Sequence, residues 1–559
     1  MMPCKIPTAI SEYMELVETG AIAACNDQKL LVALVRRVFQ TEKVFVDADQ
    51  LNSYLGLAKY FPFERLYPWE AFCLALHCCV YRESDRRPRW PDLFLLIGRG
   101  AGKDGYIAYE GACLISPYNG ISHYDVDICA NSELQAKRPF DDFYEVLEHP
   151  QNMAKLSRFF YWNKQDITCT KTNSVMKFRT NNPKGKDGLR SGIVIFNEIH
   201  QYEDYANINV FTTGLGKKPH PRRTYATTNG DVRDGPLDHL LARSEAILKG
   251  SEPDNGLLPF VCRLDSKDEV HDPAMWEKAN PSLRYNADLR EQIAKEYSDW
   301  KSAPSQFTAF MTKRMNQPDG NREVEVTSWE NIKASCGAVP DLSGRACVAG
   351  LDFASVSDFA SAGLLFREGD KRYWITHSWL CAQSPDIPRM KCPWREWDKA
   401  GLLTVVDDVE INPDLLVDWL AEQGAKYHIR HIALDNFRYA LVAGALKRIG
   451  FSAKDSKNVK LVRPSDQMIV SPVIESVFAN QRFAWGDNPL MRWAVNNTKM
   501  IRTGINKDTG NMTYGKIEQK SRKTDPFMAL VAAMTVESML EAGTVPAGLM
   551  ASLGVLTYN

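Results

Sequence analysis

Residues 95–108 read LLIGRGAGKDGYIA: an apolar run, a loop with glycines at 98, 100 and 102, then Lys103 and a helix-like start. A bound phosphate needs backbone N–H groups clear of side chains, the positive end of a helix dipole, and an ammonium within reach, and this stretch supplies all three. Gly98, Arg99, Gly100, Ala101, Gly102, Lys103 and Asp104 are therefore candidate nucleotide-binding residues. An ordinary glycine-rich strand-to-helix turn is the competing reading. The loop departs from the regular GxxxxGK[ST] pattern, because its first glycine is displaced and Asp104 stands where a hydroxyl would hold magnesium.

The flanking sequence has the grammar of a parallel α/β sheet. PDLFLLIG, YDVDICA, GIVIFNE and RTYATTN are short apolar or β-branched runs ending in Gly, Asn or acidic residues, with helix-like stretches between them. In GIVIFNEIH, residues 192–200, the apolar strand ends in Asn197 and Glu198. A nucleotide hydrolase of this type places a magnesium carboxylate and then a water-activating glutamate there. RTYATTNG, residues 223–230, ends in hydroxyl and amide side chains that suit either a γ-phosphate sensor or a simple turn. Upstream, Trp69 in LYPWEAF is a candidate to stack an adenine, or else a core residue.

Residues 317–344 are rich in Pro, Gly, Asn and Asp, which predicts a domain boundary. A second α/β set follows: ACVAGLDFA and SAGLLFREGDKRYWITHSWL predict three strands joined by tight turns, then helices, then the strand HIALD. Asp352 and Asp435 each close an apolar strand, and Asp525 opens the helical run TDPFMALVAAM, where helix capping is its structural alternative. Two divalent ions about 4 Å apart, which stabilise the attacking and leaving oxygens of a phosphodiester, need oxygen ligands converging from such separate elements. Residues 501–519 predict a hairpin about a D-T-G-N turn, and Lys499 to Lys523 hold seven Lys/Arg against two acids. That patch and KKPHPRR, residues 217–223, are each either a DNA backbone contact or a solvated surface.

At 559 residues, 44% of them hydrophobic, the chain has material for about two to four domains. Its 68 basic and 69 acidic residues nearly cancel, so any nucleic-acid contact must be local. Thirteen cysteines without metal-ligand spacing read as buried thiols. The absence of a leader pattern and of a long apolar run predicts a soluble cytoplasmic protein that is not exported, with no membrane partner.

The glycine loop, the strand ending in an acidic pair and the T-T-N strand end, in that order, resemble the ATPase half of the large terminase subunits of tailed bacteriophages. That family tolerates an irregular first loop with an early arginine, here Arg99, and CANSELQAKRPF resembles its segment whose arginine acts on a neighbour's ATP. By position that arginine is Arg138, with Lys137 as a rival and a solvated basic turn as the bland alternative. LDFASVSDFASAGLL and RKTDPFMALVAAM resemble the opening and closing of the family's ribonuclease-H-like nuclease, with Asp358 as a second acid after the metal ligand Asp352.

The resemblance implies a helical lead-in (1–60), a P-loop ATPase domain of the ASCE type (61–325), a linker (326–344), a nuclease domain (345–542) and a tail (543–559). It further implies ATP-driven movement of double-stranded DNA into a procapsid and cutting of concatemers. Lys103 would bind the β/γ-phosphates, Glu198 would activate water, and Arg138 would complete a neighbour's site. One Mg²⁺ would accompany ATP at Asn197, and two Mg²⁺ or Mn²⁺ would sit on Asp352, Asp435 and Asp525. Portal protein, small terminase subunit and a homo-oligomeric ring are the implied partners. Asp104 and Asn197 depart from the family, which reads as a magnesium carboxylate moved to the loop or as a weakened ATPase. A helicase or translocase without nuclease activity, and a non-catalytic assembly protein, are the alternative functions.

Overall fold

Five consecutive buried residues, Asp92–Leu96, form strand β1, second from one edge of an eight-stranded sheet. A strand covered on both faces has no reason to alternate polar and apolar residues, hence the unbroken apolar run. The computed structural model describes residues 6–63, 65–180, 190–304, 306–318, 325–353, 358–390, 392–502, 512–517 and 522–543. The chain divides into two compact units, 1–319 and 320–559.

In the first unit the other strands are β2 (Asp125–Ala130), β3 (Phe160–Trp162), β4 (Asp166–Cys169), β5 (Val175–Thr180), β6 (Ser191–Asn197), β7 (Arg222–Thr227) and β8 (Leu257–Val261). Their order is β8-β1-β7-β6-β2-β5-β4-β3, parallel except that β4 runs antiparallel to both of its neighbours, β5 and β3. Helices α1 (Thr8–Glu18) and α2 (Asn26–Thr41) do not stand apart as a lead-in: Ile10, Tyr13, Leu31 and Val35 enter the same core as the sheet. A smaller core of Leu264, Trp276, Ile293, Trp300, Phe310 and Met315 follows β8.

In the second unit β9 (Ala346–Phe353), β10 (Phe359–Glu368) and β11 (Lys371–Cys381) form an antiparallel meander. The strands β12 (Leu403–Val406), β13 (His428–Asp435) and β14 (Val459–Val462) complete the order β12-β11-β10-β9-β13-β14, and β13 runs parallel to β9. Helix α3 (Asp525–Met534) is buried almost all round and lies across β9. Strands β15 (Thr498–Arg502) and β16 (Met512–Lys516) pair antiparallel as the predicted hairpin; its D-T-G-N turn lies outside the described residues.

The described cysteines are all free, and all but Cys336 are buried. Among the described residues no helix is long and apolar enough to cross a membrane.

Candidate functional site

The glycine loop joins β1 to helix α4 (Lys103–Ile115). Gly100 and Gly102 have φ of +81° and +100°, a backbone region that side chains resist, which is why the turn into the helix is built from glycine. Several loop amides are already engaged: Gly98 N–H donates to Ala279 O and Arg99 N–H to Lys313 O, each at 2.7 Å, and Ala101 N–H turns back to Gly98 O at 3.1 Å. The first-turn amides of α4 have no acceptor within the helix, so an anion would be met at Lys103 to Gly105 rather than along the whole loop.

The Lys103 ammonium is buried and gathers the acidic end of β6. It donates to Asn197 Oδ1 at 2.5 Å, to Asp104 Oδ1 at 3.0 Å and to Glu198 Oε1 at 3.1 Å. Burial would lower its pKa, but Glu198 and Asp104 outweigh burial and raise it. Glu198 sits at φ +58°, an unfavourable backbone for a glutamate. Its carboxylate is held down to about 2 against the burial that would raise it, by His200, whose Nδ1 is 3.1 Å from Oε2, and by Lys103. His200 also bonds Thr227 at the end of β7 through its backbone N–H (3.0 Å) and its ring (3.1 Å), so that strand end braces Glu198. Sequence reading missed His200, although its place two residues after Glu198 was the available signal.

Two sequence expectations are corrected here. Asn197 Oδ1 is occupied by Lys103 and by the Glu198 amide, while Nδ2 donates to Asp104 at 3.1 Å and to Gln135 O at 3.2 Å, so Asn197 offers no spare oxygen to an ion. Trp69 is 1% exposed; its ring lies against Phe260 and Tyr106 and its Nε1 donates to Ser282 Oγ, which leaves no face for a base.

Residues 279–316 clasp the loop from one side, and nothing in their sequence announced it. Ser282 Oγ donates to Ala101 O at 2.7 Å. Arg314, paired with Glu296, donates to Arg99 O, and Asn280 lies so close that a Cβ on Gly98 would collide with it. Asn229 is tied to Asn316 through two hydrogen bonds, so its amide is committed to this layer. Arg138 lies exposed on helix α5 (Glu133–Glu148), whereas Lys137 is tied down by Asp141 on the same helix.

In the second unit, parallel pairing of β9 with β13 sets Leu351 beside Leu434, so Asp352 and Asp435 stand together at adjoining strand ends. Helix α3 brings Asp525 to the same place. The Asp352 carboxyl is held well above the usual range by burial and then by Asp525, with Asp435 adding and Lys516 and Arg438 opposing. Asp525 is fully buried and its two oxygens accept no hydrogen bond from another residue; Lys516 Nζ stands 3.6 Å away. The helix cap is Thr524, without a side-chain bond, so capping does not occupy the Asp525 carboxylate. Among the described residues, no three His, Cys, Asp or Glu side chains are already closed around a metal position. A buried carboxylate whose oxygens accept no hydrogen bond and meet only the Lys516 ammonium at 3.6 Å nevertheless fits a metal cation, which lowers the desolvation cost it otherwise carries.

The basic stretch before Asp525 turns partly inward. Lys523 is fully buried and bridges Asp358 Oδ2 (2.6 Å) and Asp386 Oδ2 (2.7 Å). Asp386 had no signal in the sequence. In the other patch Arg222 is neither DNA contact nor solvated: it is 1% exposed and donates to the His77 and Cys78 carbonyls. Arg223 pairs with Asp92.

Family models match both halves: terminase large subunit, ATPase domain, over residues 76–245, and terminase large subunit, endonuclease domain, over 253–541. The terminase large subunit of Lactococcus phage p2 is 24% identical over 79% of this chain and 81% of its own. That of Lactococcus phage SK1 is also 24% identical, over 79% of this chain and 81% of its own. Among solved structures, the HK97 bacteriophage large terminase covers 88% of this chain and 100% of its own at 18% identity, with a TM-score of 0.48. The chain belongs to the terminase large subunit family, with an ATPase domain followed by a DNA-cutting endonuclease domain.

Proposed function

We propose that Lys103, Glu198 and Arg138 run the ATPase reaction and that Asp352, Asp435 and Asp525 hold two divalent ions for hydrolysis of DNA phosphodiesters. The observation that carries the nuclease reading is buried Asp525, whose two oxygens accept no hydrogen bond, placed against Asp352. A second supporting feature is the shared grip of Lys103 on Asp104, Asn197 and Glu198.

At the first site, Lys103 exchanges the Glu198 carboxylate for the β/γ-phosphates when nucleotide arrives. Glu198 is then free to orient the attacking water and accept its proton, with His200 keeping the carboxylate aimed. Arg138, exposed on its helix, is suited to reach the nucleotide of a neighbouring subunit in a ring. At the second site, bound divalent ions would polarise the phosphodiester and lower the pKa of the attacking water. Asp352, Asp435 and Asp525, brought together at the ends of β9, β13 and α3, would hold those ions. Lys523 holds Asp358 and Asp386 beside them.

In this reading double-stranded DNA is what ATP hydrolysis moves and what the nuclease cuts. The portal protein, the small terminase subunit and a homo-oligomeric ring on the procapsid are the partners that turn hydrolysis into packaging. Mn²⁺-dependent cleavage of plasmid DNA by the full chain, compared with Asp352→Ala, tests the nuclease assignment. Cleavage that survives in the variant would move the chemistry elsewhere; absence of cleavage in wild type would favour a translocase without nuclease activity.

A further inference from the structure

We propose that in this chain Asp104 supplies the carboxylate that holds magnesium beside the nucleotide, and that Asn197 positions Asp104 instead of binding the ion. The inference rests on the nucleotide reading of residues 98–104.

The residues around Lys103 fit the ion when Asp104, not Asn197, holds it. The Asn197 oxygen is spent on Lys103 and on the Glu198 amide, and the end of the amide that faces Asp104 is its nitrogen, which cannot ligate a cation. Asp104 stands in the first turn of α4, with its side chain 39% exposed, and its Oδ1 accepts from both Lys103 and Asn197. A carboxylate is a hard oxygen donor of the kind magnesium selects.

The two departures from the family pattern are also mutually dependent. An aspartate at position 197 would face the Asp104 carboxylate at hydrogen-bond distance, and two carboxylates so placed repel each other. An asparagine there donates to Asp104 instead, so one negative charge is retained and only its position has moved across a 3.1 Å contact. The charge at Asp104 is felt nearby: the Asp142 carboxyl on α5 is pushed up to about 6 by burial and then by Asp104. A cation on Asp104 relieves that repulsion.

The test is equilibrium binding of a fluorescent ATP analogue to the full chain, with Mg²⁺ and with EDTA, each sample checked by thermal melting. Wild type binds more tightly with Mg²⁺. Asp104→Asn binds the metal-free analogue more tightly, because a negative charge beside the triphosphate is gone, and its gain from Mg²⁺ falls by about 10- to 100-fold. Asp104→Glu keeps part of the gain. Asn197→Asp alone weakens metal-free binding, and Asp104→Ser combined with Asn197→Asp recovers the gain.

A wild-type gain in Asp104→Asn, or a double variant no better than its two singles combined, overturns the assignment while leaving the nucleotide site intact. Metal-free binding that is unaffected by Lys103→Ala overturns the nucleotide reading itself and the proposal with it.

Discussion

Gly350 on β9 lies so close to helix α3 that a Cβ placed on it would sit 1.9 Å from the Ala529 carbonyl oxygen and 2.8 Å from the Ala533 nitrogen. Both obstacles are backbone, so no rotamer change relieves them. The missing side chain is what lets α3 settle on the strand that carries Asp352, and thereby brings Asp525 to it. Gly350→Ala should lift the helix, at a cost of about 1–3 kcal/mol. Mn²⁺-dependent cleavage should be lost while ATP hydrolysis by the same sample persists; wild-type cleavage by a folded Gly350→Ala protein would refute the link.

The acids at the second site store repulsion in the metal-free protein. Asp352 titrates above its ordinary value because of burial and Asp525, and Asp525 because of burial and Asp358, so the folded state binds protons more tightly than the unfolded chain. Folding stability from this pair therefore falls as pH rises from the ordinary carboxylate range through the raised one. Asp525→Asn should raise the Tm of metal-free protein at neutral pH, by about 2–4 °C for each kcal/mol relieved, and abolish cleavage. An unchanged or lower Tm would show that the carboxylates do not strain each other.

Lys523 answers two carboxylates from a fully buried position. Lys523→Met leaves Asp358 and Asp386 without their cation, a loss of about 3–5 kcal/mol for a broken buried pair. Urea denaturation followed in the full chain reads it out. A change below about 1 kcal/mol, the value of an exposed pair, would assign Lys523 to the surface instead.

Glu198 behaves in the opposite sense to Asp525. Its folded pKa of about 2 lies below the ordinary 4.5, so its pairing with His200 and Lys103 stabilises the fold above that ordinary value and is lost as pH falls toward 2. Glu198→Gln should slow ATP hydrolysis by about 10²- to 10⁴-fold. Its stability deficit against wild type should shrink as pH is lowered through that window; a deficit that stays constant with pH would mean the carboxylate charge is not what the fold uses.

Trp69→Phe separates core from ligand. It removes the bond to Ser282 and part of a buried ring, which costs about 1–3 kcal/mol. Nucleotide affinity should change less than about twofold, since no ring face is open. A loss of affinity larger than the loss of stability would restore Trp69 to the nucleotide site.

Local order along the chain was enough to read much of this protein. The run LLIGRGAGKDG, the Asn197-Glu198 strand end and the aspartates closing VAGLD and HIALD identify the strands, the loop and the acids, because strand burial and loop chemistry are written in neighbouring residues. Contacts across many residues were not legible. That Asn280, Ser282 and Arg314 clasp a loop some 180 to 215 positions earlier, that Lys523 reaches Asp358 and Asp386, and that Arg222 is core rather than surface all follow from packing.

Burial and proximity belong to the folded chain as a whole, because the same side chain is solvated or enclosed according to what distant segments place over it. The sequence by itself therefore determined which residues carry charge and chemistry at each strand end. Only the tertiary structure decided which of them meet, which are already satisfied, and which, like the Asp525 oxygens, are buried without a hydrogen-bond donor.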